Sequence, residues 1–137
     1  MSKRRVVVTG LGTINPLGNN VADSWEKLIN GDSGIDYITS FDTEDLPVKF
    51  AGEVKGFDAN EYMGKQHARK LDRSAHLSIY ATEQALKDAN FNTEERLGSN
   101  VGIVFGTGIG GIGATENAVR TYDERGASRI NPLAITQ

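Results

Sequence analysis

Three consecutive valines, Val6, Val7 and Val8, stand between Arg5 and the pair Thr9-Gly10. β-branched side chains in a row favour a pleated strand over a helix. An apolar run without polar alternation predicts a strand covered on both faces, the pattern of a central strand in a parallel-containing sheet. The chain must then supply helices to cover that sheet.

The rest of the sequence alternates accordingly. Asn19 or Asn20 caps a predicted helix whose apolar residues Val21, Trp25, Leu28 and Ile29 recur on one face, with Gly31 as its stop. That face is expected in the core. Residues 32–60 mix glycine, proline and charge with short apolar pieces such as VKFAGEV, which predicts an irregular excursion carrying one edge strand. An excursion of that length is either functional or simply covers the core. A second helix is predicted over Gln66–Ala89, ended by Asn90. Its inward stripe of Leu71, Ala75, Ser78, Ile79, Thr82, Ala85, Leu86 and Ala89 is small in volume and permits close backbone approach. A short TEERL turn leads to a predicted buried strand over Asn100–Phe105, a glycine loop and a helix over Ala114–Glu124. Strands alternating with helices of this length make the fold class α/β, with crossover connections.

Composition narrows the function. Fifteen Lys and Arg against eighteen Asp and Glu leave a net charge of -3, so the chain as a whole does not attract polyanions, and nucleic acid is not an expected partner. No apolar run approaches the ~18 residues of a membrane span. The expected location is the cytoplasm. With no cysteine there is neither a disulfide nor a thiolate metal site, and His67 and His76, nine apart, do not suit two ligands on one helix face, so no structural metal is expected. Both histidines are read as solvent-facing or helix-packing residues, and no serine, histidine and aspartate arrangement with an accompanying motif is present.

The glycine loop Gly106-Thr107-Gly108-Ile109-Gly110-Gly111 fits G-x-G-x-x-G and precedes a helix. A dinucleotide site also needs an acidic residue at the end of a second strand about 20 positions on. Glu124 instead falls on the intervening helix, and the earlier turn Gly10-Leu11-Gly12 has Asn15 where a third glycine belongs. Glycines serving a tight loop or close packing explain the residues without a ligand. A third reading starts from Ile109 itself: an exposed isoleucine among four glycines implies an apolar group that meets it. A second cluster, Lys65, His67, Arg69, Lys70 and Arg73, concentrates positive charge at the predicted start of the second helix. There it opposes the helix dipole and invites a functional explanation.

The opening MSKRRVVVTGLGTINPLG (1–18), the segment FDTEDLPVKFAGEVKGFD (41–58), the helix ARKLDRSAHLSIYATEQALKDA (68–89) and the loop FGTGIGGIG (105–113) together resemble the elongating β-ketoacyl-[acyl-carrier-protein] synthases, in the family's order and spacing. The resemblance covers essentially the whole chain and is closer to the branch that handles longer acyl chains. It implies a thiolase-like layered α/β fold of two related halves, with residues 1–137 an incomplete, N-terminal portion of the first. The family's cysteine nucleophile and two histidines are expected beyond Gln137, so no catalytic residue is assigned here. Gly108 and Ile109 are implied to border the acyl pocket, Ile109 as an apolar gate. Leu133 and Ala134, with Ile135, match a segment that reaches toward the partner's acyl pocket in the family's homodimers. The family more often has bulky aromatics there, so these smaller residues imply a roomier pocket. Arg69, Lys70 and Arg129 match positions that hold acyl carrier protein, through exposed charges that steer and orient the partner. Gln66 and Ser128 stand where the family's patch has further basic residues, which reshapes that contact.

The activity implied for the full enzyme is acyl transfer to the cysteine followed by decarboxylative condensation with malonyl-acyl carrier protein, with no metal or redox cofactor. The chain alone is expected to be inactive. Two other classes are weighed against this: a non-catalytic carrier-protein-binding or chain-length partner subunit, and a dinucleotide-binding module.

Overall fold

The computed structural model describes residues 3–92, 99 and 101–134. In chain order its elements are α1 (Val21–Asn30), β1 (Ile35–Tyr37), β2 (Phe50–Gly52), α2 (Ala59–Met63), α3 (Lys65–Ala68), α4 (Arg73–Asp88), α5 (Ile112–Arg125) and a 3-10 turn (Ala127–Arg129). They divide between two compact units, Met1–Phe57 with Tyr80–Gly98, and Asp58–Ile79 with Ser99–Gln137.

In the first unit the opening loop is built around Asn15. Its Oδ1 accepts from the Leu17 and Gly18 amides at 2.8 and 3.2 Å, and its Nδ2 donates to Thr13 Oγ1 and to Ser24 Oγ, both at 3.0 Å. Ser24 is buried and ties this turn to α1. Of the two asparagines expected to cap the helix, Asn20 does so: its side chain accepts from the Asp23 amide at 2.8 Å. The helix ends on Gly31 at φ 77°, with the Gly31 and Asp32 amides donating back to Leu28 and Lys27 at 3.2 and 3.0 Å, a Schellman closure. The same closure ends α4, with Asn90 at φ 51° in the left-handed position and the Phe91 amide donating to Leu86 at 2.9 Å.

Residues 32–60 carry two strands rather than one. β1 and β2 pair antiparallel in the register Ile35 to Gly52, Asp36 to Ala51 and Tyr37 to Phe50. The Pro16 ring lies against this hairpin so closely that a Cβ on Gly52 would meet Pro16 Cγ at 2.9 Å. Beyond the strands, Glu53 accepts from the Thr39 amide and hydroxyl at 2.9 and 2.8 Å and from those of Ser40 at 3.0 and 2.5 Å. These bonds hold its carboxyl down at about 2, the Ser40 hydroxyl contributing most. Lys55 and Asp36 pair at 2.8 Å; the hydrogen bond between them lowers the Asp36 pKa and raises that of Lys55.

Several sequence expectations are corrected. Arg5–Thr9 does not form a buried central strand: Val6 is 90% exposed, and no strand among the described residues pairs with it. β propensity prepares a strand, but only a neighbouring ladder makes one. Residues 101–105 of the second predicted strand are likewise exposed and pair with no strand among the described residues, Asn100 lying outside them. The sheet seen is therefore the antiparallel hairpin, not a parallel one. The apolar face of α1 is not core either, with Trp25 61% exposed. The predicted TEERL turn lies outside the described residues.

The helix expected over Gln66–Ala89 is two helices. α3 stops at Ala68, residues 69–72 form a turn, and α4 starts at Arg73. The Ala68 carbonyl accepts from both the Leu71 amide at 3.1 Å and His76 Nε2 at 2.9 Å, which locks the corner and makes His76 a packing residue. α5 begins two residues before its predicted start and ends one after its predicted end.

Candidate functional site: the glycine loop and the basic corner

Gly108, Ile109, Leu133, Ala134, Arg69, Lys70 and Arg129, the residues expected to meet the acyl chain or the carrier protein, all belong to the second unit. In the glycine loop, Ile109 is 74% exposed. A Cβ on Gly106 or Gly108 would meet nothing within 4 Å, so crowding does not demand glycine there. Gly110 differs: a Cβ would lie 2.5 Å from Thr107 Cγ2. Gly111 holds φ 71° as the residue that opens α5. The loop is thus bent tightly at Thr107, Gly110 and Gly111 and left open around Gly108 and Ile109.

Beside the loop, Ser74, Ala75, Ser78 and Ile79 of α4 and Phe105, Gly106 and Thr107 line a cleft of about 270 Å³. Neither Ile109 nor Gly108 lines it, and its α4 residues are absent from the expected site. The small-residue stripe Ala75, Ser78, Ile79 is the signal in the sequence that marks them. Leu133 and Ala134 sit in a turn made by Asn131, whose Oδ1 accepts from the Leu133 amide at 3.0 Å and whose carbonyl accepts from the Ala134 amide at 2.9 Å. They do not line that cleft, and Ile135 lies outside the described residues.

The basic corner changes its electrostatic meaning. Because the helix breaks, Lys65, His67, Arg69 and Lys70 do not load the first turn of a long helix; Arg69 is the C-terminal cap of α3, its amide donating to Lys65 at 3.2 Å, and Lys70 follows. Only Arg73 begins α4. Arg69 and Lys70 are exposed, and Lys70 makes no ion pair among the described residues. Arg129 closes the 3-10 turn, also exposed.

Among the described residues no strand runs directly into the glycine loop, and no side chain caps α5. The dinucleotide reading therefore lacks its strand–turn–helix frame among the described residues. Among them, too, no helix is long and apolar enough to cross a membrane.

The beta-ketoacyl synthase N-terminal domain family matches residues 3–137. The chain is 41% identical over 98% of its length to 3-oxoacyl-[acyl-carrier-protein] synthase 2 of Synechocystis, and 43% identical over 98% to the protein of that name in Vibrio cholerae. It covers 32% and 33% of those relatives, so it spans about a third of their length. Among solved structures, the ishigamide ketosynthase/chain length factor superposes with a TM-score of 0.79 at 25% identity, over 99% of this chain and 34% of that one. A type II PKS acyl-carrier protein in complex with its ketosynthase bound to the hexaketide superposes at 0.73 and 27% identity, over 98% and 35%. These likenesses carry the thiolase-like α/β fold class, although the described residues form only its hairpin and helices. With the match extending from residue 3 to residue 137, the chain belongs to the beta-ketoacyl synthase family, in its N-terminal domain.

Proposed function

We propose that the chain is the N-terminal part of a β-ketoacyl-[acyl-carrier-protein] synthase of the elongating, long-chain type, the rest of the domain carrying the nucleophile. The complete enzyme takes an acyl group from carrier protein onto a cysteine and condenses it with malonyl-acyl carrier protein, losing carbon dioxide and lengthening the chain by two carbons. The observation that carries this reading is the family match over residues 3–137 together with relatives near 40% identity that share one name. In this reading Ile109 gates the acyl pocket on its open glycine loop, Gly108 leaves it room, and Leu133 and Ala134 approach the pocket of a homodimeric partner. Arg69, Lys70 and Arg129 meet the acidic surface of acyl carrier protein. The enzyme works in the cytoplasm and needs no metal or redox cofactor.

The test is the intact mass of the protein expressed from its complete reading frame, before and after incubation with a long-chain acyl-carrier-protein thioester. Gain of one acyl mass supports the synthase; a protein that binds the carrier yet gains nothing overturns it.

A second reading is a non-catalytic chain-length or carrier-binding subunit. It draws support from the solved neighbour that pairs a ketosynthase with a chain length factor. A glutamine in place of the nucleophile in the complete sequence would favour it.

A further inference from the structure

We propose that Asn30 is a site of spontaneous deamidation, through which the end of α1 is covalently altered as the protein ages. Of the ten asparagines in the chain, Asn30 alone is followed by glycine. Glycine is the residue least able to shield its own amide nitrogen, because it has no Cβ. Asn30 is the last residue of α1, it is exposed, and its side-chain amide has no hydrogen bond among the described residues. Around Gly31 there is open space, with nothing within 4 Å of where a Cβ would stand. A five-membered ring joining the two residues meets no steric obstacle there.

The chemistry needs only water. The Gly31 nitrogen, having given its proton to solvent, attacks Asn30 Cγ; the new carbon–nitrogen bond closes a succinimide and the side-chain nitrogen leaves as ammonia. Water then adds to one of the two ring carbonyls. Opening at one carbonyl yields aspartate; opening at the other yields isoaspartate, with the main chain rerouted through the β-carbon. No electrons are transferred.

The structure also sets what restrains the reaction. The Gly31 amide is held by the Leu28 carbonyl at 3.2 Å and the Asp32 amide by Lys27 at 3.0 Å, so attack requires this closure to open. Helix ends fray far more readily than helix interiors. Either product then works against the helix. A carboxylate at its C-terminus opposes the dipole and stands two residues from the like charge of Asp32. Isoaspartate further adds an atom to the main chain, so the Gly31 and Asp32 amides lose their registry with Leu28 and Lys27.

Cleavage after Lys27 and Lys49 releases residues 28–49, a peptide whose single asparagine is Asn30. The protein is incubated in mildly alkaline buffer and the peptides are weighed over time, with enzymatic methyl labelling to reveal isoaspartate. The expected result is a gain of about one mass unit in peptide 28–49 ahead of every other asparagine peptide, accompanied by isoaspartyl labelling, while the Asn30→Gln variant keeps its mass. Peptide 28–49 unchanged, whether or not other asparagines convert, overturns the proposal. So does conversion to aspartate with no isoaspartate, which would mean hydrolysis without the ring.

Discussion

Gly12 lies directly against the backbone of Ala81, closer than any side chain would allow, and Gly10 stands in the same relation to Ala85. Two residues of extended chain advance roughly 6.6 Å and four residues of helix roughly 6 Å. One register therefore brings both glycines onto α4, running antiparallel to it. Ala81, Ala85 and Ala89 supply the small surface on which that approach depends. Gln84, on the same helix, adds two bonds to the opening loop, donating to the carbonyls of Thr13 and Asn19 at 2.9 and 3.0 Å. Asp88 adds a third by accepting from the Leu11 amide at 2.8 Å.

Replacing Gly12 by alanine forces a Cβ into the α4 backbone, which cannot yield as a flexible side chain would. The expected loss is ~1–3 kcal/mol, the usual cost of overpacking a close contact. Urea unfolding followed by circular dichroism measures it; a midpoint equal to that of the parent protein would show that the loop does not rest on the helix.

Glu53 has a carboxyl held at about 2 against an ordinary value of 4.5. A depressed carboxylate pKa means that its contribution to hairpin stability is complete above the ordinary value and disappears as pH falls through about 2. Glu53→Gln removes the charge from a group accepting four hydrogen bonds, so the variant should lose this acid-dependent step. Carboxyl chemical shifts followed from pH 6 downward, roughly the range in which free carboxylates titrate, provide the check. A Glu53 titration midpoint near that of the other glutamates would count against the clamp.

Lys70→Glu reverses charge on the exposed corner after α3. In the complete enzyme it should slow association with acyl carrier protein by roughly tenfold at low salt, with the difference shrinking as salt screens the charges. Stopped-flow association at two ionic strengths would reveal it; rates unaffected by the substitution would remove this corner from the docking surface.

Ile109→Ala should shift the chain-length profile of the complete enzyme by opening the acyl pocket to bulkier or longer chains, by about 1–3 kcal/mol of discrimination per methylene-sized change. Acylation rates across a series of acyl-carrier-protein thioesters test this. A uniform decrease at all lengths would mean that Ile109 supports the loop without gating the pocket.

Local chemistry was readable wherever short-range rules decide the outcome. Asn20 and Gly31 bound α1 because a side-chain cap and a left-handed residue act over three or four positions. Asn90 ends α4 for the same reason, and the four glycines around Ile109 announce a loop. The basic corner could be found from residue types, but its geometry could not. At the break after Ala68, His76 returns to that carbonyl from the next helix, a contact between groups eight residues apart.

By itself, then, the sequence determined the helix boundaries set by caps, the glycine loop and, through its motifs, the family. Only tertiary structure decided that Gly10 and Gly12 seat on Ala81 and Ala85, that Glu53 reaches back to Thr39 and Ser40, and that Val6–Val8 remain exposed. Caps and turns are written in consecutive residues. A strand, a close approach or a clamp requires groups distant in sequence to meet, and the energy of that meeting belongs to neither partner alone.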